Sequence, residues 1–352
     1  MPTIIYPPSI PWSWMFQRPQ QLLGRLSASG QTVLYEDLGN FPQPGIRSLS
    51  PTLLLCQGSP AMNTLHARPR ILWLTVPSHI NSIDCYNPDL VVYDAVDEPK
   101  EEFASWAPYY PAILAKADLI FCSSQSLYDY FSVRHPHVYL VPNGVDYVHF
   151  SPSPAYRPND LPSGKPIIGY CGAIAPWIDW ELLKIVIREN PDLNFVFIGT
   201  LFQLNKIPLK SKHVFYLGLK PYSELPAYLH HFDIGLIPFL QTEMTKGCNP
   251  IKLYEYYAAG IRVLGTPLPE LLPIPKINLE SNPELFSQRL RYLLESEDSC
   301  KAERMAFAQA NDWSERSGQV LQAIFSRLTE MKIACNTLLY DRIQYVESPA
   351  PY

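Results

Sequence analysis

At 352 residues the chain is long enough for two domains of ordinary size, and its formal net charge of −5 carries none of the basic footprint of a nucleic-acid binder. No run approaches the roughly eighteen consecutive apolar residues of a membrane-spanning helix. Seven cysteines, an odd number without a CxxC pair, argue against a disulfide framework or zinc site and for free thiols in a reducing compartment.

The opening stretch MPTIIYPPSIPW lacks the basic and long apolar regions of a signal peptide, so a cytoplasmic chain is expected. Strand-like runs follow at TIIYP (3–7), TVLYED (32–37), TLLLC (52–56), ILWLT (71–75), LVVYDAV (90–96), LIFCS (119–123) and VYLVP (138–142). Helical patterns cover 18–29 and 103–117. Continuous apolar runs mark parallel strands covered on both faces, and their alternation with helices implies doubly wound α/β sheets. FSPSPAYRPNDLPSGKP (150–166) is rich in Pro and Ser and reads as a linker.

The pattern then restarts with IIGYCG (167–172), a helix over 179–188, NFVFIGT (194–200), HVFYLG (213–218) and a helix over 222–231. DIGLIPF (233–239), a helix over 250–259, RVLGT (262–266) and helical sequence over 283–330 complete it. The 36 prolines punctuate apolar runs and act as loop locks. The expected organisation is a Rossmann-like domain over 1–155, a second over 165–310, and a helix with a tail over 311–352 that crosses back to the first.

In doubly wound sheets, ligands bind beyond the carboxyl ends of the strands. Those positions are Trp12 to Arg18, Asp94 to Asp97, Ser123-Ser124, Asn143-Gly144, Gly172-Ala173, Gly199-Thr200 and Gly218. GCNPIKLYEYYAAG (247–260) adds a helix start. Pro250 suits the first turn, where a missing N–H costs nothing. Lys252 sits there against the helix dipole's preference, so it either faces solvent or holds an anion. Arg18 opens another helix and is open to two roles, gripping phosphate or a carboxylated sugar, or facing solvent. Asp97 fits an N-cap before EPKEEF as well as a cleft carboxylate. Trp12 and Trp14 suit either stacking on a sugar or packing between domains. The eight histidines show no metal-binding spacing.

PNGVDYVHF (142–150), IIGYCGAI (167–174), YLGLKPYSELPAYLHHFDIGLIPF (216–239) and NPIKLYEYYAAGIRVLGT (249–266) occur in that order over nearly the whole chain. This series resembles family 4 retaining glycosyltransferases of the GT-B fold, two Rossmann-like domains facing a central cleft. WSWMFQRPQQLLGRL, YDAVDEP and GAIAPWIDW look more specifically like the bacterial subset for teichuronic acid and other cell-surface polysaccharides.

The resemblance implies a nucleotide-sugar donor, UDP most of all, held as a substrate with no cofactor and no metal. It places uracil near Gly218, Lys220 and Tyr222, and ribose on Glu255. The diphosphate falls on the turn of Cys248, Asn249, Pro250, Ile251 and Lys252, with Gly172, Ala173 and Gly199 alongside. The acceptor is a carbohydrate or lipid-linked, and Asp94, Asp97 and Arg18 are the catalytic candidates. FASWAPYYPAILAKAD (103–118) reads as core, with peripheral contact at the inner face of a membrane as the alternative.

Two departures stand out. The glutamate that family members place eight residues before Glu255 is Gly247 here, and Ala173 takes the place of an arginine. These departures make a non-catalytic nucleotide-sugar-binding subunit a competing reading; a sugar-nucleotide epimerase or phosphorylase of the same fold is another, and the thin supply of cations argues against the phosphorylase.

Overall fold

The computed structural model describes residues 2–39, 45–58 and 67–333. The tail beyond 333, including Cys335, lies outside them.

Two sheets organise the chain. The first has eight strands in the order β3-β4-β2-β1-β5-β6-β7-β8. They are β1 (Thr3–Tyr6), β2 (Thr32–Glu36), β3 (Gly45–Ser50), β4 (Leu53–Gln57), β5 (Arg70–Leu74), β6 (Leu90–Ala95), β7 (Leu119–Cys122) and β8 (Val138–Leu140). Only the β3–β4 pair is antiparallel. The second sheet runs β11-β10-β9-β12-β13-β14, all parallel. Its strands are β9 (Ile167–Cys171), β10 (Asn194–Ile198), β11 (Val214–Tyr216), β12 (Ile234–Ile237), β13 (Arg262–Gly265) and β14 (Asn278–Leu279).

The strand order reverses at β1 in the first sheet and at β9 in the second. Such switch points open a crevice at the carboxyl ends of the strands. The loops after β1 and β9 are therefore placed to meet a ligand. The central strands β1, β6, β7, β9, β10 and β12 are buried along their whole length, as apolar runs covered on both faces must be.

The chain crosses between sheets earlier than the Pro- and Ser-rich stretch suggests. Val145, Phe150 and Leu161 already pack in the core of the second half. The return crossing lies beside the first: Val145 bridges Asp312, and Trp313 N–H donates to the Val145 carbonyl at 2.9 Å. Helix Trp313–Glu330 then lays Trp313, Val320, Ile324 and Leu328 against Leu22, Leu23 and Leu26 of helix Arg18–Ala28 in the first core. The 103–117 pattern is a 3-10 helix over Glu101–Tyr109 followed by an α-helix over Tyr110–Lys116, because Pro108 interrupts the α-helical ladder. No helix among the described residues is long and apolar enough to cross a membrane.

Candidate functional site

A cavity of about 780 Å³ lies between the two halves and takes its walls from both. Arg18, Thr75, Asp97, Gly172, Lys252 and Tyr222 are among its lining residues. They reach it from the loops after β1, β5, β6, β9, β11 and β12, the positions that the two switch points select.

Helix Ile251–Ala258 points its N-terminus into this cavity. Its N-cap is Pro250, and no side chain caps it. The N–H groups of Ile251 and Lys252 have no hydrogen-bond partner among the described residues. Uncapped N–H groups and the helix dipole together favour an anion. Gly247, Cys248 and Asn249 lead into the helix, but the Cys248 N–H already donates to Thr245 at 3.1 Å and is not a phosphate ligand. The Asn249 side chain is a structural bridge: its Oδ1 accepts from the Asn143 N–H (3.1 Å), and its Nδ2 donates to Glu270 (2.9 Å).

One turn on, Glu255 is 1% exposed. Lys252 donates to its Oε2 at 2.5 Å, while its Oε1 is buried with no hydrogen-bond partner among the described residues. Burial lifts the Glu255 carboxyl above the usual carboxylate range, with Lys252 opposing that rise. A buried carboxylate oxygen without a donor is costly, so the site is short of a hydroxyl or N–H at this point. Lys252 lines the cavity, and Glu255, outside the lining, is held to it by that bond. The lysine is thus neither a solvated first-turn residue nor free for phosphate alone.

On the β9 side, the Gly172 N–H is used by the Ile198 carbonyl (2.9 Å), so Gly172 can bring its backbone close to a phosphate but has no N–H to give it. Among the described residues the Ala173 N–H has no hydrogen-bond partner. Gly199 shapes this wall: at φ +142° its absent side chain lets the Gly172 carbonyl come within 1.8 Å of where a Cβ would stand. Gly218 accepts from the Gly199 N–H (2.9 Å), and Leu219 rather than Gly218 faces the cavity. Lys220 lines the cavity and turns its ammonium to Asp160 (2.5 Å), so its charge is already paired. Tyr222 lies at the interdomain seam. His149 stacks on its ring at 4.5 Å, Phe16 packs at 4.6 Å, and Gln21 donates to its hydroxyl at 2.7 Å.

The three catalytic candidates separate. Asp94 is fully buried and does not line the cavity. Both its oxygens accept from Arg18, at 2.8 to 3.0 Å. Asp94 is therefore not a base or sugar contact; its lone pairs are committed to the guanidinium. Arg18 is 3% exposed and also donates to the Val141 carbonyl (2.8 Å) and Asn143 Oδ1 (3.2 Å). With one N–H left of five, it is a positioning residue and not a phosphate grip. Asp97 differs. It lines the cavity, has no hydrogen-bond or ion-pair partner among the described residues, and does not cap a helix. Burial, and then the neighbouring Glu98, push its carboxyl up to about 7.

The Gly247 departure has a physical counterpart. A Cβ on Gly247 would stand 2.5 Å from Glu98 Cγ, so the Glu98 side chain fills that space from the other half of the molecule. Glu98 accepts from the Ser126 hydroxyl at 2.6 Å, and Glu101 accepts from the Met244 N–H at 2.8 Å. The acidic run DEPKEE was the available signal for this seam. Phe103, Trp106, Trp177 and Phe202 also line the cavity, and Phe103 lies 6.4 Å from Trp177 and 6.5 Å from Phe202 across the halves.

No family model matches the chain. TuaH of Bacillus subtilis (strain 168), named for a glycosyltransferase of teichuronic acid biosynthesis, is 28% identical over 233 residues, 58% of this chain. The match spans 57% of that protein's length. Among solved structures, sucrose-phosphate synthase from Thermosynechococcus elongatus superposes with a TM-score of 0.68 at 15% identity, covering 94% of this chain and 99% of its own. Trehalose-6-phosphate synthase OtsA gives 0.70 at 10% identity, with 95% and 100% covered. These are GT-B structures. The chain has the GT-B fold. Anabaena HepE, solved in complex with UDP and glucose, shares it with a TM-score of 0.67 at 12% identity over 92% of this chain and 99% of that one.

Proposed function

We propose that this GT-B chain is a retaining glycosyltransferase. It moves a sugar from a UDP-sugar to a carbohydrate or lipid-linked acceptor in the synthesis of a cell-surface polysaccharide, on the cytoplasmic side of the membrane. The observation that carries the reading is the Glu255 Oε1 atom, buried without a donor one turn inside an uncapped helix N-terminus that faces the interdomain cavity. Ribose hydroxyls are donors of the kind this oxygen lacks. The amides of Ala173, Ile251 and Lys252 and the Lys252 ammonium then face the diphosphate.

The bond from the sugar's anomeric carbon to the donor phosphate breaks as the acceptor oxygen bonds that carbon from the same face, the acceptor's hydroxyl proton passes to the departing phosphate, and the sugar keeps its anomeric configuration. Asp97 orients that hydroxyl and accepts its hydrogen bond. Closure of the two halves brings these groups together and excludes water. The HepE and Escherichia coli trehalose-6-phosphate structures, solved with UDP-glucose and UDP-2-fluoro glucose, support a UDP-sugar donor. The TuaH likeness supports the polysaccharide role.

Calorimetric titration with UDP tests the reading. UDP binds the native protein, and Glu255→Ala weakens it by about tenfold or more, the loss of a charge-assisted hydrogen bond. Unchanged affinity in Glu255→Ala refutes the ribose placement. UDP-sugar binding with no hydrolysis or transfer favours the non-catalytic subunit instead.

A further inference from the structure

We infer that the acceptor presents an uncharged sugar to the cleft, held by stacking on an aromatic wall and not by a grip on phosphate. The inference rests on the proposed transfer reaction and names its acceptor class.

The wall that the first half contributes is aromatic: Trp14, Phe103 and Trp106 line it, beside Phe16, whose ring packs on Tyr222 at 4.6 Å. Trp14 has no ring partner among the described residues, whereas Trp12 packs edge-on against Tyr35 at 5.2 Å and belongs to the scaffold. The loop that displays them holds Met15 at φ +32°, a left-handed conformation that costs a non-glycine residue free energy. Trp177 and Phe202 continue the wall from the second half. Flat aromatic faces suit the C–H face of a pyranose, which is apolar while its rim carries hydroxyls.

The charges on this wall are the wrong ones for a phosphate. Arg18 and Asp97 are its two ionisable residues apart from Tyr6. Arg18 is already paired with Asp94. Asp97 is an acidic group with Glu98 beside it, and Glu98 has both Lys100 and Glu243 near it. Lys246 is paired with Glu243, and Lys100 is exposed outside the lining. A phosphate brought here meets the Asp97 carboxyl, and this wall has no unpaired cation to receive it, so its charge in a closed cleft is expensive. Sugar hydroxyls instead find Asp97, Thr75 and the Tyr6 hydroxyl, the last two bonded to each other at 2.7 Å.

The test uses the full chain saturated with UDP. Saturation-transfer NMR is recorded with methyl glycosides of glucose, galactose, mannose and N-acetylglucosamine, with octyl glucoside, and with glucose 6-phosphate. At least one neutral glycoside binds, and glucose 6-phosphate binds at least about tenfold more weakly. Trp14→Ala and Trp106→Ala weaken the neutral ligand by about tenfold while UDP affinity stays within about twofold. Tighter binding of octyl than methyl glucoside indicates a lipid-carried sugar, equal binding a free glycan, and both uphold the uncharged reacting end. Glucose 6-phosphate binding as well as the neutral sugars, or no neutral glycoside binding to UDP-loaded protein, overturns the inference. A protein that binds no UDP fails the proposed transfer reaction instead, which keeps the two failures distinct.

Discussion

Replacing Asp94 by alanine removes the carboxylate that takes the Arg18 guanidinium at 2.8 to 3.0 Å and leaves a buried cation with only carbonyl and amide oxygens for company. Arg18 is 3% exposed and Asp94 fully buried, so water does not compensate. Breaking a buried pair from one side costs about 3–5 kcal/mol. At about 2–4 °C per kcal/mol for a domain of this size, the melting temperature of the first half falls by roughly 10 °C. Asp94→Asn retains one acceptor oxygen and falls between the two. Arg18→Met with Asp94→Leu removes both charges together and recovers most of the loss, because neither ion is left unpaired. Denaturant midpoints, with the slope unchanged, measure these effects. Transfer assays on the folded fraction, run beside them, separate stability from chemistry. An Asp94→Ala protein with native stability and no transfer refutes the reasoning, because that result belongs to a catalytic carboxylate and not to a positioning one.

Gly247→Glu places a side chain where Glu98 lies, with the new Cβ 2.5 Å from Glu98 Cγ. Overpacking of this kind costs about 1–3 kcal/mol. Adding Glu98→Ala relieves it, and a Gly247→Glu melting curve unchanged from native shows that the two halves do not meet this closely. The Asp97 carboxyl, lifted from an ordinary 3.8 to about 7, is neutral below that pH and charged above it. Acceptor kcat/KM therefore rises as pH increases through about 7, and Asp97→Asn flattens the profile; a rise that survives in the variant belongs to another group. The same lift means that the folded state holds a proton that the unfolded state has released between pH 4 and 7. Stability accordingly falls as pH rises across that window, by up to roughly 4 kcal/mol, and Asp97→Asn removes that slope in urea titrations at pH 5 and pH 8.

The scaffold was legible where local pattern carries the physics. Apolar runs at 3–7, 71–75 and 167–172 became central strands because a strand covered on both faces must be apolar throughout. β3 escaped that reading, since GIRSLS is an exposed edge strand with no buried run. The two residues of β14 and the short helix Glu243–Lys246 are too brief to show a period. The helix start at 250–252 was legible from its proline and misplaced lysine; the matched motif singled out Glu255, which the fold buries one turn on.

Pairings across long sequence separations were not legible. Arg18 and Asp94 each looked like a free cleft group, and 76 residues separate them in the chain. Each has a local sequence that suits a catalytic role, and only the approach of strand β6 to helix Arg18–Ala28 shows that they neutralise one another. Gly247 read as a lost carboxylate, whereas the fold reveals the space taken by Glu98 from the opposite half. The order of strands and helices, the helix start and the loops bearing function follow from periodicity, propensity and backbone chemistry, which are local along the chain. Which charges remain free in the cleft, and which aromatics form one wall, depend on distances between residues far apart in sequence. Charge pairing and close packing act through space, so the tertiary structure alone decided them.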